Sequence, residues 1–253
     1  MNRLRNGIRP LIIFIGLLLI WYAVTLTGIP NYLLPTPVTV AEALWKGRNY
    51  LGYHFLVTLS EIAMGLFCGL LLGMILALTM MFSPRLQQWL MPVLIISQAI
   101  PVFALAPLLV LWLGFGMASK VVMATLIIFF PVTASFFDGL RRTEPGWLEL
   151  AKTMNAGGLA ELRHVRLMAA LPSFGSGLRV AAAVAPIGAI IGEWVGSSSG
   201  LGYVMLNANA RVQTEVCFAA LFLLAVMAIV LVQLVDISVR KLLYWVPDSS
   251  QTR

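Results

Sequence analysis

Six stretches of the chain carry apolar residues with few interruptions: about 10–29, 55–82, 88–113, 119–137, 173–195 and 216–236. A helix needs about 20 mostly apolar residues to cross a bilayer core, so each stretch is read as a membrane span. The runs are continuous and do not alternate between apolar and polar positions, which excludes the strands of a membrane barrel. Helices remain, because a backbone in lipid must satisfy its own hydrogen bonds. The expected fold is an all-α membrane protein with six transmembrane helices, in a single domain over residues 1–253. The stretch between Arg85 and Lys120 has no charge, and is too long for one span and too short for two. It is read as the third span, a turn at Gly114–Gly116 and the start of the fourth span. Its Pro92, Pro101 and Pro107 predict kinks or breaks, and irregular backbone at membrane depth usually lines a cavity or a protein interface.

Composition strengthens the membrane reading. Only 11% of the 253 residues are charged and 60% are hydrophobic, whereas a soluble domain carries about 25% charged residues. Residues 10–29 follow Arg3, Arg5 and Arg9, as a signal peptide would. The run exceeds a signal core of about 7–15 residues, so it is expected to be a retained span. Cys68 and Cys217 lie singly in apolar runs and supply neither a disulfide framework nor a metal spacing. The tail after Trp245 is expected to fray.

The net charge of +7 fits a bias in membrane loops better than a nucleic-acid surface. With the N-terminus in the cytosol, six spans place 13 of the 17 Lys and Arg inside, and 4 outside: Lys46, Arg48, Lys120 and Arg211. The positive-inside rule then expects both termini and the loop 138–172 in the cytosol.

That loop contains "ELAKTMNAGGLAELRHVRLMAALP" (149–172), a polar segment in an apolar chain. Leu148, Leu150, Ala151 and Met154 have helical spacing. Gly157–Gly158 then predict a sharp turn, and Leu159, Leu162, Val165 and Met168–Ala169 form one face of a second helix. Leu171–Pro172 would open the fifth span. The pattern alone fits either an amphipathic connector on lipid headgroups or a knob presented to a cytosolic protein.

The segment resembles the cytosolic loop of permease subunits of bacterial ABC importers, whose pattern is Glu-Ala-Ala, three residues, Gly, nine residues, Ile-x-Leu-Pro. Glu149-Leu150-Ala151 and Val165-Arg166-Leu167 match, and Leu171-Pro172 follows as in the sulfonate, nitrate and taurine branch. Asn155 stands where the family has Gly, and Met168 where it has the first Pro. "YLLPTPVTVAEAL" (32–44), "IPVFALAPLLVLWLGFG" (100–116) and "SSSGLGYVML" (197–206) resemble further elements of this branch in the same order. The resemblance implies a type I importer permease fold with a coupling helix that docks on an ATPase subunit. Glu149, Leu150, Ala151, Asn155, Gly157, Gly158, Val165, Leu167 and Pro172 would form that joint. Implied partners are two ATPase subunits, an extracytoplasmic binding protein, a second identical permease and membrane lipid. ATP and magnesium would sit on the ATPase, and this chain would bind no cofactor or metal. The implied location is the bacterial inner membrane.

Residues 185–213 most resemble permeases for thiamine pyrimidine precursors, and "TLSEIAMG" (58–65) points the same way, because sulfonate-type relatives usually carry a basic residue at the position of Glu61. Sulfonate, taurine or nitrate is the alternative cargo. A secondary transporter is a remoter reading, since neither inverted repeats nor ion-coupling groups are evident.

Other single residues are weighed on their own chemistry. Glu193 would lie on the translocation path, with Pro101, Pro107 and Pro186, or be a helix-end carboxylate in the headgroups paired with water or Arg211. Glu61 is expected to face the bundle and bond another helix. Asp236 and Arg240 are spaced for a helical ion pair. His164 reads as a solvated loop residue. Trp89, Trp112, Trp194 and Trp245 read as interfacial anchors. No Gly-rich phosphate loop ending in Gly-Lys-Ser/Thr occurs, so any ATP must be bound by another chain.

Overall fold

The computed structural model describes the backbone of residues 2–246, and side chains from Ile12 onward apart from Phe14. The tail beyond Val246 lies outside the described residues. Eleven helices are present among the described residues, and no strand. They are α1 (Asn2–Thr25), α2 (Pro37–Lys46), α3 (Arg48–Phe82), α4 (Pro84–Ala99), α5 (Val102–Leu113) and α6 (Met117–Arg141), then α7 (Pro145–Thr153), α8 (Gly158–Glu161), α9 (Leu167–Gly196), α10 (Leu201–Ala210) and α11 (Thr214–Leu242). A π-helical turn, Leu162–Arg166, joins α8 to α9.

Four of these are long and apolar enough to span a membrane: α3, α6, α11 and the continuous Gly158–Gly196 helix. α4 and α5 add a fifth if the pair is one span, but they meet at a bend of 99°. The third span expected over 88–113 is therefore a broken element. The break falls at Ile100–Pro101, where extended backbone ends α4 and Pro101 caps α5. Pro92 and Pro107 are tolerated inside the two halves. The expected turn at Gly114 is present, with φ at +80°. Of the expected first span, the described apolar helix is Ile15–Thr25, while the side chains of residues 10, 11 and 14 lie outside the described ones. The helix ends at Thr25, short of residue 29, where Gly28 adopts a left-handed φ of +88°.

The chain groups into two compact units. One comprises residues up to Val57 together with Ser198–Ala225, and the other comprises Thr58–Ser197 and the residues from Val226.

In the larger unit, α6 and α9 pack extensively against each other. Small residues permit the approach: a β-carbon on Gly188 would stand 2.7 Å from the Ala124 Cα, and one on Gly177 would stand 2.7 Å from the Ser135 Cβ. Ala124 also faces Gly65 of α3, so α6 is held closely from two directions. This is how membrane helices associate when lipid gives apolar side chains no reason to leave it. Around this contact, Met80, Leu94, Phe137, Leu140, Leu162 and Ala170 build a buried core. The expected Asp236–Arg240 pair forms at 2.8 Å, and Arg179 of α9 reaches the same carboxylate at 2.7 Å.

The smaller unit contains two short helices that the span pattern did not foresee. α2 starts where the Thr36 hydroxyl accepts the Thr39 N–H, with Pro37 at the first helical position. α10 packs near the start of α3, where Gly200 donates its N–H to His54 Nδ1 at 2.9 Å.

Candidate functional site

The polar segment folds as a helix, a turn and a long rod. α7 begins at Pro145 and buries Ala151, leaving Glu149, Leu150 and Met154 exposed. Its end is a Schellman motif centred on Asn155, which has a φ of +56°. The Ala156 N–H donates to the Ala151 carbonyl at 3.0 Å, and the Asn155 N–H to that of Lys152 at 2.9 Å. The expected turn at Gly157–Gly158 is thus displaced. Gly157 has an ordinary extended φ of −67°, Gly158 starts α8, and a β-carbon on either would meet nothing within 4 Å. Asn155 can fill the family's Gly position because its short polar side chain visits the left-handed region more readily than most residues. Asn155→Gly should therefore keep the fold's stability, whereas Asn155→Val should cost about 1–2 kcal/mol at this turn. Equal thermal stability of the two variants would show that the left-handed turn is not needed.

The expected second amphipathic helix is not a separate element. Gly158–Gly196 runs as one helix of 39 residues, about 58 Å at 1.5 Å per residue. Pro172, expected in its first turn, lies inside it, because α8 and the π turn extend the helix upstream. In the π turn, Arg166 pairs with Glu161, five residues earlier, at 2.7 Å. Val165 and Leu167 are half-buried, and His164 is exposed, with Nδ1 3.1 Å from the Ala160 carbonyl. Between α7 and this rod lies a largely apolar groove of about 780 Å³, lined by Trp147, Leu150, Met154, Val165, Met168 and Trp245.

A second polar constellation is buried where α3, α6 and α9 pack. Lys120 Nζ donates to Glu61 Oε1 at 2.6 Å, and the Thr58 hydroxyl donates to Glu193 Oε1 at 2.6 Å. The Glu193 carboxyl also interacts with Glu61. All four residues are at most 5% exposed, and Glu61 Oε2 is buried with no hydrogen-bond partner. Glu61 faces another helix, as expected. Glu193 is not a headgroup carboxylate, since at 1% exposure it is shut from solvent. Lys120, counted from the sequence as an outer-loop cation, is its cluster's only cation. The available signal was a rare charge within each of three apolar stretches: Glu61 alone in 55–82, Lys120 alone in 119–137, and Glu193 with Arg179 in 173–195.

The remaining pathway candidates, Pro101, Pro107 and Pro186, differ in exposure. Pro101 and Pro107 are exposed on the α4–α5 pair, while Pro186 is buried. Pro186 does not break α9, which continues through it among Ala181, Ala182, Ala185 and Gly188. At Gly188, two residues on, the helix presses against Ala124 of α6. Trp89 and Trp112 are well exposed, as anchors would be. Among the described residues no cluster of three or more His, Cys, Asp or Glu could hold a metal.

Apolar helices bound around a buried ion pair, with an exposed polar helix–turn at one end, define a multi-span helical membrane protein. The chain belongs to the binding-protein-dependent transport system inner membrane component family, whose model matches residues 69–244. It is 54% identical over 230 residues to a probable ABC transporter permease of Haemophilus influenzae, covering 90% of this chain and 94% of that one. It is 36% identical over 231 residues to the formylaminopyrimidine transport permease ThiX of Halalkalibacterium halodurans, covering 90% and 92%. Its fold is similar to a chain of the methionine ABC transporter MetNI in inward-facing conformations, with a TM-score of 0.64, 18% identity and coverage of 82% and 97%. The protein is therefore the permease subunit of an ABC importer, a multi-pass inner-membrane protein that works with an ATPase and a binding protein.

Proposed function

We propose that two identical copies of this permease form the import pathway for a thiamine pyrimidine precursor of the hydroxymethylpyrimidine or formylaminopyrimidine type. The observation that carries this reading is the extended likeness to the formylaminopyrimidine permease, which includes residues 185–213. The charge distribution supports cytosolic termini and a cytosolic segment 145–172. Two ATPase subunits dock there, against α7 and the apolar groove beside it. Glu149, Leu150, Ala151, Asn155, Gly157, Gly158, Val165, Leu167 and Pro172 belong to this joint.

The mechanism follows from stiffness. A tight cap at Asn155 couples α7 to a rod without a flexible linker, so movement imposed on α7 passes to the rod as rigid-body motion. The far end of the rod carries Glu193 and its buried partners, so α3 and α6 move with it. ATP-driven closure of the ATPases opens the pathway outward, and hydrolysis returns it inward. ATP and magnesium remain on the ATPase.

Proteoliposomes holding the permease, its ATPase and its binding protein provide the test. ATP-dependent uptake of labelled hydroxymethylpyrimidine, without uptake of taurine, is the expected result. Uptake of taurine alone would overturn the pyrimidine reading.

A further inference from the structure

The smaller unit contains a cleft of about 750 Å³ between α2, the start of α3, α10 and the segment that follows it. Its size lies within the range of small-molecule sites, about 300–1,000 Å³. Its lining differs from the carbon-rich groove beside α7, since Tyr50, Tyr203, Asn207, Arg211 and Gln213 all reach it.

These groups are held in place. Behind the tyrosines, His54 is 4% exposed, and its ring centroid lies 4.4 Å from that of Tyr50 and 5.8 Å from that of Tyr203. The bond from the Gly200 N–H to Nδ1 fixes the His54 ring, and so the ring that both tyrosines pack against. The Tyr50 phenol interacts with both Tyr203 and Arg211. Asn207 donates from Nδ2 to the Tyr203 carbonyl at 3.0 Å, and this leaves its Oδ1 as an available acceptor. Arg211 forms no ion pair among the described residues, although the Glu42–Lys46 pair stands on the same cleft.

A strained turn adds an independent observation. Val212 has a φ of +58°, a conformation that a β-branched residue rarely adopts. It closes α10 in a Schellman cap, where the Gln213 N–H donates to the Ala208 carbonyl at 2.8 Å and the Val212 N–H to that of Asn209 at 3.1 Å. Such strain persists where the surroundings over-determine it, and it clusters at binding sites. Here it aims the two flanking residues, Arg211 and Gln213, at the cleft.

We infer that this cleft is a binding site on the permease itself for a small, planar, polar heteroaromatic solute. The ring stacks on Tyr50 and Tyr203, Arg211 donates to a ring nitrogen or oxygen, and Asn207 Oδ1 accepts from an exocyclic amine. An aliphatic sulfonate would use Arg211 and leave the aromatic faces uncovered. The inference deepens the proposed pyrimidine specificity and rests on it.

The test uses the permease–ATPase complex in nanodiscs, without binding protein, titrated calorimetrically with 4-amino-5-hydroxymethyl-2-methylpyrimidine and with taurine. Saturable pyrimidine binding is expected, with none for taurine. Tyr203→Ala and Arg211→Ala should each weaken it about tenfold or more, in line with the loss of one stacking or charged contact. Tyr203→Phe, which keeps the ring, should bind as the wild type does. Each variant complex is first checked for intact elution on size exclusion. Absence of saturable binding, or unchanged affinity in both alanine variants, would overturn the site. Titration of the isolated binding protein separates the two levels. If it binds the pyrimidine while the permease does not, only the cleft is lost; if it binds taurine instead, both readings fall.

Discussion

Lys120→Met should be among the most damaging single substitutions in this protein. It removes the only cation from a buried cluster with two interacting carboxyls, Glu61 and Glu193. Removing one partner of a buried pair typically costs about 3–5 kcal/mol, because the other charge stays behind uncompensated. Glu61→Gln should cost less, since the amide oxygen can still accept from Lys120 and Glu193 remains in the cluster. The double variant, Lys120→Met with Glu61→Gln, should recover part of the loss, because it removes the uncompensated Glu61 carboxylate while Glu193 keeps its bond from Thr58. Thermal inactivation in detergent, read as the fraction eluting in the monodisperse peak, gives the ordering. A double variant as unstable as the sum of the singles would show that the ion pair does not hold α3 to α6.

Glu149→Lys should abolish coupling without harming the fold. Glu149 is exposed on α7, away from the buried Ala151, so its reversal disturbs no packing. At a docked interface a like-charge juxtaposition costs several kcal/mol, and each 1.4 kcal/mol is a factor of about ten in affinity. ATP-dependent uptake should therefore fall by at least about tenfold, with co-purification of the ATPase lost in parallel. Membrane insertion and thermal stability should match the wild type. Intact uptake and intact ATPase recovery would remove Glu149 from the joint. The pairing of these two predictions matters, because the Lys120 variant should fail through stability and the Glu149 variant through coupling alone.

One continuous helix runs between the two sites, and this gives the small number of polar residues in the chain a common logic. Gly158–Gly196 begins at the turn after α7 and ends three residues beyond Glu193. A rod fixed at one end by an Asn155 cap and at the other by a buried polar cluster can carry displacement between them. Pro172 and Pro186 lie within it without breaking it. The π turn at Leu162–Arg166 is the one irregularity, and such turns often mark functional positions inside helices.

How much of this was legible in the chain varies with the range of the interaction. Apolar length fixed where most spans lie, because the bilayer imposes a minimum on any helix that crosses it. The helix–turn character of 149–158 was visible for the same local reason, and so was the tolerance of Asn155 for the family's Gly position. Its placement was not, since Gly157–Gly158 offered an equally good turn and the choice rests on which carbonyls of α7 the chain caps. Pro101 and Pro107 looked alike as breakers, yet only Pro101 ends a helix. Small residues marked α9 as a close-packing helix but did not name its partner. The pairing of Glu61 with Lys120, 59 positions apart, and of Thr58 with Glu193, 135 apart, depends on glycines that let α3 and α9 both press against α6. The sequence by itself determined the solvent of each segment and the local turn chemistry. Only the tertiary structure decided which lone charges meet, because that depends on how closely helices approach and not on any property of the residues taken one by one.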